Sequence, residues 1–287
     1  MFGSRKPTVD GAVVVVTGGA RGIGATTAEL FAARGATVWI GDVDAEVGAG
    51  TAGRVGCRSA PLDVTDRASW ARFLCEVQAS SGPVDVLVNN AGVMPLGPFD
   101  AESEKTTDLI LDVNVRGLLN GMRAVLPAMA ARRRGHIVNI ASMAGMIPLP
   151  GMVTYNASKF AALGASLAAR REYAGTGVTV SAVLPAAVRT ELASGASLGR
   201  GLPAVDPDAV ARAVFRTLRT RAARTSVPGW VAPGWALVDA FVPESVERAL
   251  RTRIDDRRAL TGIDPSARMA YQQRLDRQAD DHAGVVS

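Results

Sequence analysis

Apolar and polar positions along the chain follow two alternating rhythms. Five short runs are almost continuously apolar and rich in β-branched residues: AVVVVT at 12–17, ATVWIGD at 36–42, VDVLVNN at 84–90, GHIVNIAS at 135–142 and GVTVSAVLP at 177–185. Between and after them lie longer, alanine-rich segments of helical period at 22–33, 44–52, 103–131, 155–173 and 207–220. Strands that lack a polar face are buried on both sides, the condition of parallel strands covered by helices. The pattern predicts one α/β domain over 1–230, a doubly wound parallel sheet with helices on both faces.

The rhythm stops after SVPG at 226–229. The rest of the chain is roughly 58 residues, marginal for an independent core, so 231–287 is expected to be a helical C-terminal extension acting as a lid, an oligomer contact or a membrane-surface contact. The stretch 226–243 carries one charge, but Pro228, Pro233 and its glycines argue against a membrane-spanning helix. Its apolar cluster of Trp230, Trp235, Leu237, Phe241 and Val242 is costly to expose and is expected to cover the substrate edge of its own or a neighbouring subunit. Further on, Val246, Leu250 and Ile254 recur at i+4 and predict an amphipathic helix packed on the protein, with contact to a membrane surface as the lesser alternative.

Composition narrows the function classes. A net charge of +5 is dispersed among acidic residues and rarely interleaved with aromatics, which argues against nucleic acid as a partner. The run Arg132-Arg133-Arg134 before Gly135 reads as cations at a helix C-terminus with the glycine as cap. Two cysteines, Cys57 and Cys75, and two histidines, His136 and His282, form no metal-ligand spacing and no disulfide framework. The first apolar run is strand-length and leads into a glycine-rich turn, unlike a signal peptide. A reduced, metal-free, cytoplasmic protein is expected.

That turn, TGGARGIG at 17–24, lies between a strand and a helix, where a pyrophosphate can approach backbone N–H groups. Gly18 permits the tight turn, Gly22 the close approach and Gly24 the contact of helix with strand, while Arg21 and Ile23 fill the positions between them. Asp42, 18 residues beyond Gly24, ends the second strand and is placed to accept hydrogen bonds from an adenosine ribose. Arg21 could instead meet the 2′-phosphate of NADP, yet an exposed ion pair is worth only ~0.2–1 kcal/mol. Asp42 facing that phosphate at about 4 Å would be repelled by up to ~4 kcal/mol at an effective dielectric near 20. NAD is favoured, with NADP the alternative.

Together with this turn, Asp63-Val64, NNAG at 89–92, Asn114, Ser142 and YNASK at 155–159 give the chain its identity by pattern: from about 10 to 230 it resembles the short-chain dehydrogenase/reductase (SDR) family. The resemblance implies a Rossmann-type fold, a nicotinamide cofactor and hydride transfer at an alcohol or carbonyl carbon. It implies that Asp63 and Val64 contact adenine, that Asn89, Ala91 and Gly92 floor the adenosine side, and that Val188 and Thr190 meet the carboxamide. One departure is Pro185-Ala186, where the family usually has Pro-Gly.

Proton transfer explains the spacing of Tyr155 and Lys159, which share a helix face at i and i+4. A free tyrosine is only ~0.1% ionised at pH 7, and an ammonium at about 4 Å could favour the phenolate by up to ~4 kcal/mol, or about 3 pK units. Tyr155 is then the general base in oxidation and the acid in reduction. The resemblance gives Lys159 a further role at the nicotinamide ribose, Ser142 the substrate oxygen, and Asn114 a water that relays protons from Lys159.

Met94, Met143, Met146, Ile147, Leu149 and Met152 fall on loops at the carboxyl edge of the sheet, where adaptable thioethers would wall a substrate site. The segment 189–207 reads as a mobile lid over that edge. The expected substrate is an apolar secondary alcohol or ketone of lipid or steroid type. Small residues along the helix after Tyr155, among them Ala161, Gly164, Ala165 and Ala168, predict pairing into a homodimer or homotetramer. An NADPH-dependent ketoreductase and a non-catalytic dinucleotide-binding regulator are the competing readings.

Overall fold

The computed structural model describes residues 9–196, 204–254 and 257–286. Seven parallel strands are laid down in chain order as β1 (Val13–Thr17), β2 (Thr37–Asp42), β3 (Arg58–Pro61), β4 (Val86–Asn89), β5 (Gly135–Ile140), β6 (Val178–Pro185) and β7 (Arg224–Val227). Their order in the sheet is β3-β2-β1-β4-β5-β6-β7. The winding direction reverses between β1 and β4, which opens a crevice at the carboxyl ends of these two strands.

The connecting helices are α1 (Gly22–Ala32), α2 (Ala45–Val55), α3 (Arg67–Ser81), α4 (Glu104–Leu111), α5 (Leu118–Ala131), α6 (Val153–Glu172) and α7 (Pro207–Thr220). Side-chain alternation along β1 divides the core into two layers. Val13 and Val15 pack with Trp70, Leu118 and Ile137 on one face, and Val14 and Val16 pack with Phe31, Ile40 and Val214 on the other. His136 on β5 belongs to this core. Its ring nitrogens bond Thr179 and Thr217, and burial pushes it down to about 3, so it is neutral.

The five central strands match the five apolar runs. The two edge strands, β3 (RSAP) and β7 (RTSV), have no such run, because an edge strand is half-solvated and carries polar residues. The predicted helix over 103–131 is three pieces: α4, a π-helical turn over Asp112–Gly117, and α5. The arginine run is tethered to its own protein, with Arg132 and Arg134 pairing with Asp85 and Arg133 donating to the carbonyl of Gly175. Gly135 is not the cap; Arg133 takes the left-handed conformation (φ 52°) and Gly135 opens β5, where a side chain would strike Met129.

The extension is α8 (Val231–Phe241), α9 (Glu244–Ile254), α10 (Arg258–Thr261) and α11 (Pro265–Val286). Its apolar stretch does not cover the substrate edge of its own subunit. Trp230 and Leu237 are 62% exposed and Phe241 79% exposed, while Val231 is buried and Trp235 is partly buried under the guanidinium of Arg251. The reason is helical: Trp235 and Leu237 lie about 200° apart, so docking one face leaves the other in solvent. Val246 is exposed, and the side chains of Leu250 and Ile254 lie outside the described residues. The parts that return to the crevice are α10, through Ala259, and α11, which packs along α4 through Tyr271, Leu275 and Ala279 against Leu109 and Ile110. Among the described residues no helix is long and apolar enough to cross a membrane.

Candidate active site

A cavity of ≈ 680 Å³ runs along the carboxyl ends of the strands, within the range of small-molecule sites. At one end the turn between β1 and α1 forms its rim. Gly18 (φ 60°) and Gly22 (φ 53°) hold left-handed backbone that other residues rarely adopt. A Cβ on Gly18 would lie 2.7 Å from the Cα of Ala91, and one on Gly24 would lie 2.2 Å from the carbonyl oxygen of Gly18. Backbone therefore packs on backbone, leaving the N-terminus of α1 open to an anion.

Asp42 closes the far wall of this end. Its carboxylate accepts the N–H groups of Ala20 (2.9 Å) and Asp44 (3.1 Å). Burial raises its pKa, opposed by those two hydrogen bonds and by Arg21. Arg21 pairs with Asp44 at 2.6 Å and lies 3.7 Å from Glu191. Asp63 and Val64 line the same end. A bare glycine turn, an acceptor carboxylate at the end of β2 and a floor of Ala91 and Gly92 fit an adenine dinucleotide.

Tyr155 and Lys159 project from the first turns of α6, both buried. Tyr155 packs among Met94, Ala144, Met152 and Ala193. The Nζ of Lys159 donates to the carbonyl of Ile140 (3.2 Å) and sits 5.6 Å from the centroid of the Tyr155 ring. Burial pushes the Tyr155 phenol far above its usual range, and a hydrogen bond with Ser142 pulls against it. Burial likewise pushes Lys159 down to about 8. Ser142 Oγ accepts the N–H of Ala144 at 3.1 Å and lines the cavity beside Tyr155.

A family model described as short chain dehydrogenase matches residues 12–200, the segment that contains all of these groups. The chain belongs to the short-chain dehydrogenase family. Oxidoreductase UcpA of Salmonella typhimurium is 36% identical over 216 residues, covering 74% of this chain and 81% of that protein. The cyclopentanol dehydrogenase of a Comamonas species is 35% identical over 189 residues, covering 64% and 76%. A 2,5-dichloro-2,5-cyclohexadiene-1,4-diol dehydrogenase, LinX, of Sphingobium indicum is 34% identical over 187 residues, covering 63% and 75%. As a member of this family the protein is an oxidoreductase acting on CH–OH groups with a nicotinamide cofactor.

In this dehydrogenase most of the residues singled out from the sequence face the cavity, including Arg21, Ile23, Pro185, Val188 and Thr190 at the dinucleotide end and Met94, Met143, Leu149 and Met152 at the other. Four do not line it. Asn89 is buried beneath the floor, donating to the carbonyl of Leu118 and to Asn139. Gly24 lies behind Gly18, and Met146 packs on the core. Asn114 is buried in the π turn, its amide holding Val93 through both backbone groups (2.9 Å each) and donating to Ser158 (3.0 Å).

Other groups escaped the sequence reading. Asn90, adjacent to the floor, donates to the carbonyls of Thr17 and Gly18. From α11, Tyr271, Arg274 and His282 reach the cavity. Arg274 pairs with Glu191 (2.6 Å) and His282 with Asp112 (2.7 Å). The spacing of Arg268, Tyr271, Leu275 and His282 along one helical face is a signal present in the sequence. The expected lid over 189–207 is anchored at both described ends by the bridge Val188–Val205, with the N–H of Arg189 donating to the carbonyl of Val205. Its middle, 197–203, lies outside the described residues.

Proposed function

We propose that the enzyme is an NAD-dependent dehydrogenase of apolar secondary alcohols, with Tyr155 as general base in oxidation and general acid in the reverse reduction. The observation that carries this reading is the meeting of Ser142, Tyr155 and Lys159 on one wall of a cavity that has a dinucleotide cradle at one end and methionines at the other. When bound, the nicotinamide ring supplies the hydride acceptor or donor. Ser142 Oγ orients the substrate oxygen, and Tyr155 Oη takes the hydroxyl proton as the carbinol C–H bond breaks and a carbonyl forms. The Lys159 ammonium favours the phenolate and meets the nicotinamide ribose. Asn114 holds the loop at Val93 over this group, and a water relaying protons from Lys159 past it belongs to the same proposal.

Asp42 supports NAD over NADP. It faces the cavity together with Asp44 and Asp63, and Arg21, the cation that would greet a 2′-phosphate, is already paired with Asp44 and close to Glu191. The substrate end, lined by Leu96, Leu149, Met152 and Ala193, supports an apolar substrate. Two of the relatives are named for ring alcohols, which supports a cyclic secondary alcohol. A closed homo-oligomer is supported by α6, whose outward face leaves Val153 and Phe160 exposed beside Ala161 and Gly164.

The test is turnover of cyclic and open-chain secondary alcohols with each cofactor, followed by absorbance of the reduced nicotinamide. NAD should exceed NADP by about 100-fold in kcat/KM, the equivalent of ~2.7 kcal/mol, and Asp42→Ala should close most of that gap. A native preference for NADP would reject the cofactor assignment. Tyr155→Phe should abolish turnover while NAD still raises the melting temperature; activity within a few-fold of the parent would reject the mechanism.

A further inference from the structure

Tyr271 is a buried phenol that the proposed reaction does not use. It projects from α11 into the same cavity as Tyr155, is 3% exposed, and lies near enough to Tyr155 for the two to interact electrostatically. Its Oη accepts the N–H of Met94 at 2.9 Å, and among the described residues its own O–H proton has no acceptor. Burial pushes the phenol up to about 12, so it is a protonated donor at every working pH.

Two arginines hold it there. The guanidinium carbons of Arg268 and Arg274 lie 4.9 Å and 5.2 Å from the centroid of the Tyr271 ring. Both cations draw the phenol toward ionisation, which makes its O–H a stronger donor. Arg268, itself buried, donates to the carbonyls of Met94 (2.5 Å) and Ser194 (2.9 Å) and so ties α11 to the loops after β4 and β6. The donor is therefore rigidly positioned in the cavity lining, between the apolar residues Met94, Leu96, Leu192 and Ala193 and the paired charges of Glu191 and Arg274.

A buried donor without an acceptor of its own is complementary to an acceptor oxygen and penalises a ligand that offers none. We propose that Tyr271 is a second oxygen-recognition point, donating a hydrogen bond to a substrate oxygen other than the one that reacts. The substrate class, which rests on the alcohol dehydrogenase reading, is then a compact apolar molecule with two oxygens, a diol, hydroxyketone or alkoxy alcohol. Ser142 and Tyr155 take the reacting oxygen and Tyr271 the other, so the pair of contacts selects which hydroxyl is presented for reaction.

The experiment compares cyclohexanol with the isomeric cyclohexanediols, in the parent enzyme and in Tyr271→Phe, by kcat/KM and by the melting-temperature shift each alcohol produces in the presence of NAD. At least one diol should exceed cyclohexanol by about 10- to 100-fold in the parent. Tyr271→Phe should lower the diol at least 10-fold more than cyclohexanol, mainly through KM. Equal losses for both compounds would mean that Tyr271 only holds Met94, and would overturn the proposal, as would a parent enzyme that prefers cyclohexanol. A Tyr271-dependent shift with the diol but no turnover would retire the proposed reaction on cyclic secondary alcohols and keep the site; neither shift nor turnover would retire the site as well. If Tyr271→Phe fails to fold, the preference of the parent enzyme decides.

Discussion

At Tyr155 two physical effects oppose each other, burial and the charge of Lys159. The i, i+4 spacing suggests an ammonium pulling the phenol toward ionisation. Burial of both groups works the other way, raising Tyr155 and lowering Lys159 to about 8. An ammonium near 5.6 Å from the ring still offers about 3 kcal/mol at an effective dielectric near 20, roughly 2 pK units in favour of the phenolate. Removing the positive charge disfavours the phenolate, so the limb on which oxidation rises with pH must move upward. Lys159→Ala is expected to shift that limb by roughly 2 pH units and to cut the rate at neutral pH by about 100-fold. The pH profile of kcat/KM for oxidation checks this, and an unmoved limb would mean that Lys159 serves the cofactor alone. The presence of Ser142, Tyr155 and Lys159 was legible from local spacing. The burial of Tyr155 was not, because it depends on Met94 and Ala193, which arrive on the loops after β4 and β6.

Among the elements, α11 departs most from the sequence reading. The apolar stretch around Trp235 promised a cover for the substrate, yet the cover comes from a helix whose sequence, PSARMAYQQRLDRQADDHAGVV, is largely polar. It docks through a few residues: Tyr271 and Leu275 into the apolar seam with α4, and Arg268 onto three backbone carbonyls, those of Leu192, Ser194 and Met94. Arg268→Ala would leave those carbonyls without their donor in a buried site, at ~1–3 kcal/mol for each group left unsatisfied. A loss of about 3 kcal/mol is expected in denaturant unfolding, with faster amide exchange at Met94 and 192–194. Unchanged exchange at these loops would show that α11 does not hold them. The edge strands teach the same lesson in reverse. β3 and β7 lack the apolar signature because only one of their two neighbours exists, so position in the sheet decided their composition.

For the whole molecule, the exposed face of α6 and the exposed side of α8 set the expectation for assembly. Val153 and Phe160 on α6 are both close to half exposed, an apolar surface that a second copy would cover. Sedimentation at micromolar concentration is expected to show a dimer or tetramer, and Gly164→Glu to shift it toward monomer; a monomeric parent would remove the assembly from the proposal. What the sequence alone determined is whatever rests on neighbours within about one turn or one strand: the five central strands from their unbroken apolar runs, the glycine turn from TGGARGIG, the carboxylate of Asp42 at the end of β2, and the grouping of Ser142 with Tyr155 and Lys159 on the cavity wall. These are set by hydrophobic periodicity and by backbone conformations open to few residues. What only the tertiary structure decided rests on contacts between distant segments. Arg21 comes to lie 3.7 Å from Glu191, 170 residues on, Asn114 becomes a brace for Val93, and Tyr271 enters the pocket by hydrogen bonding to Met94, 177 residues away. No local pattern specifies such pairs, because their energy exists only once the chain has brought both ends to one edge of the sheet.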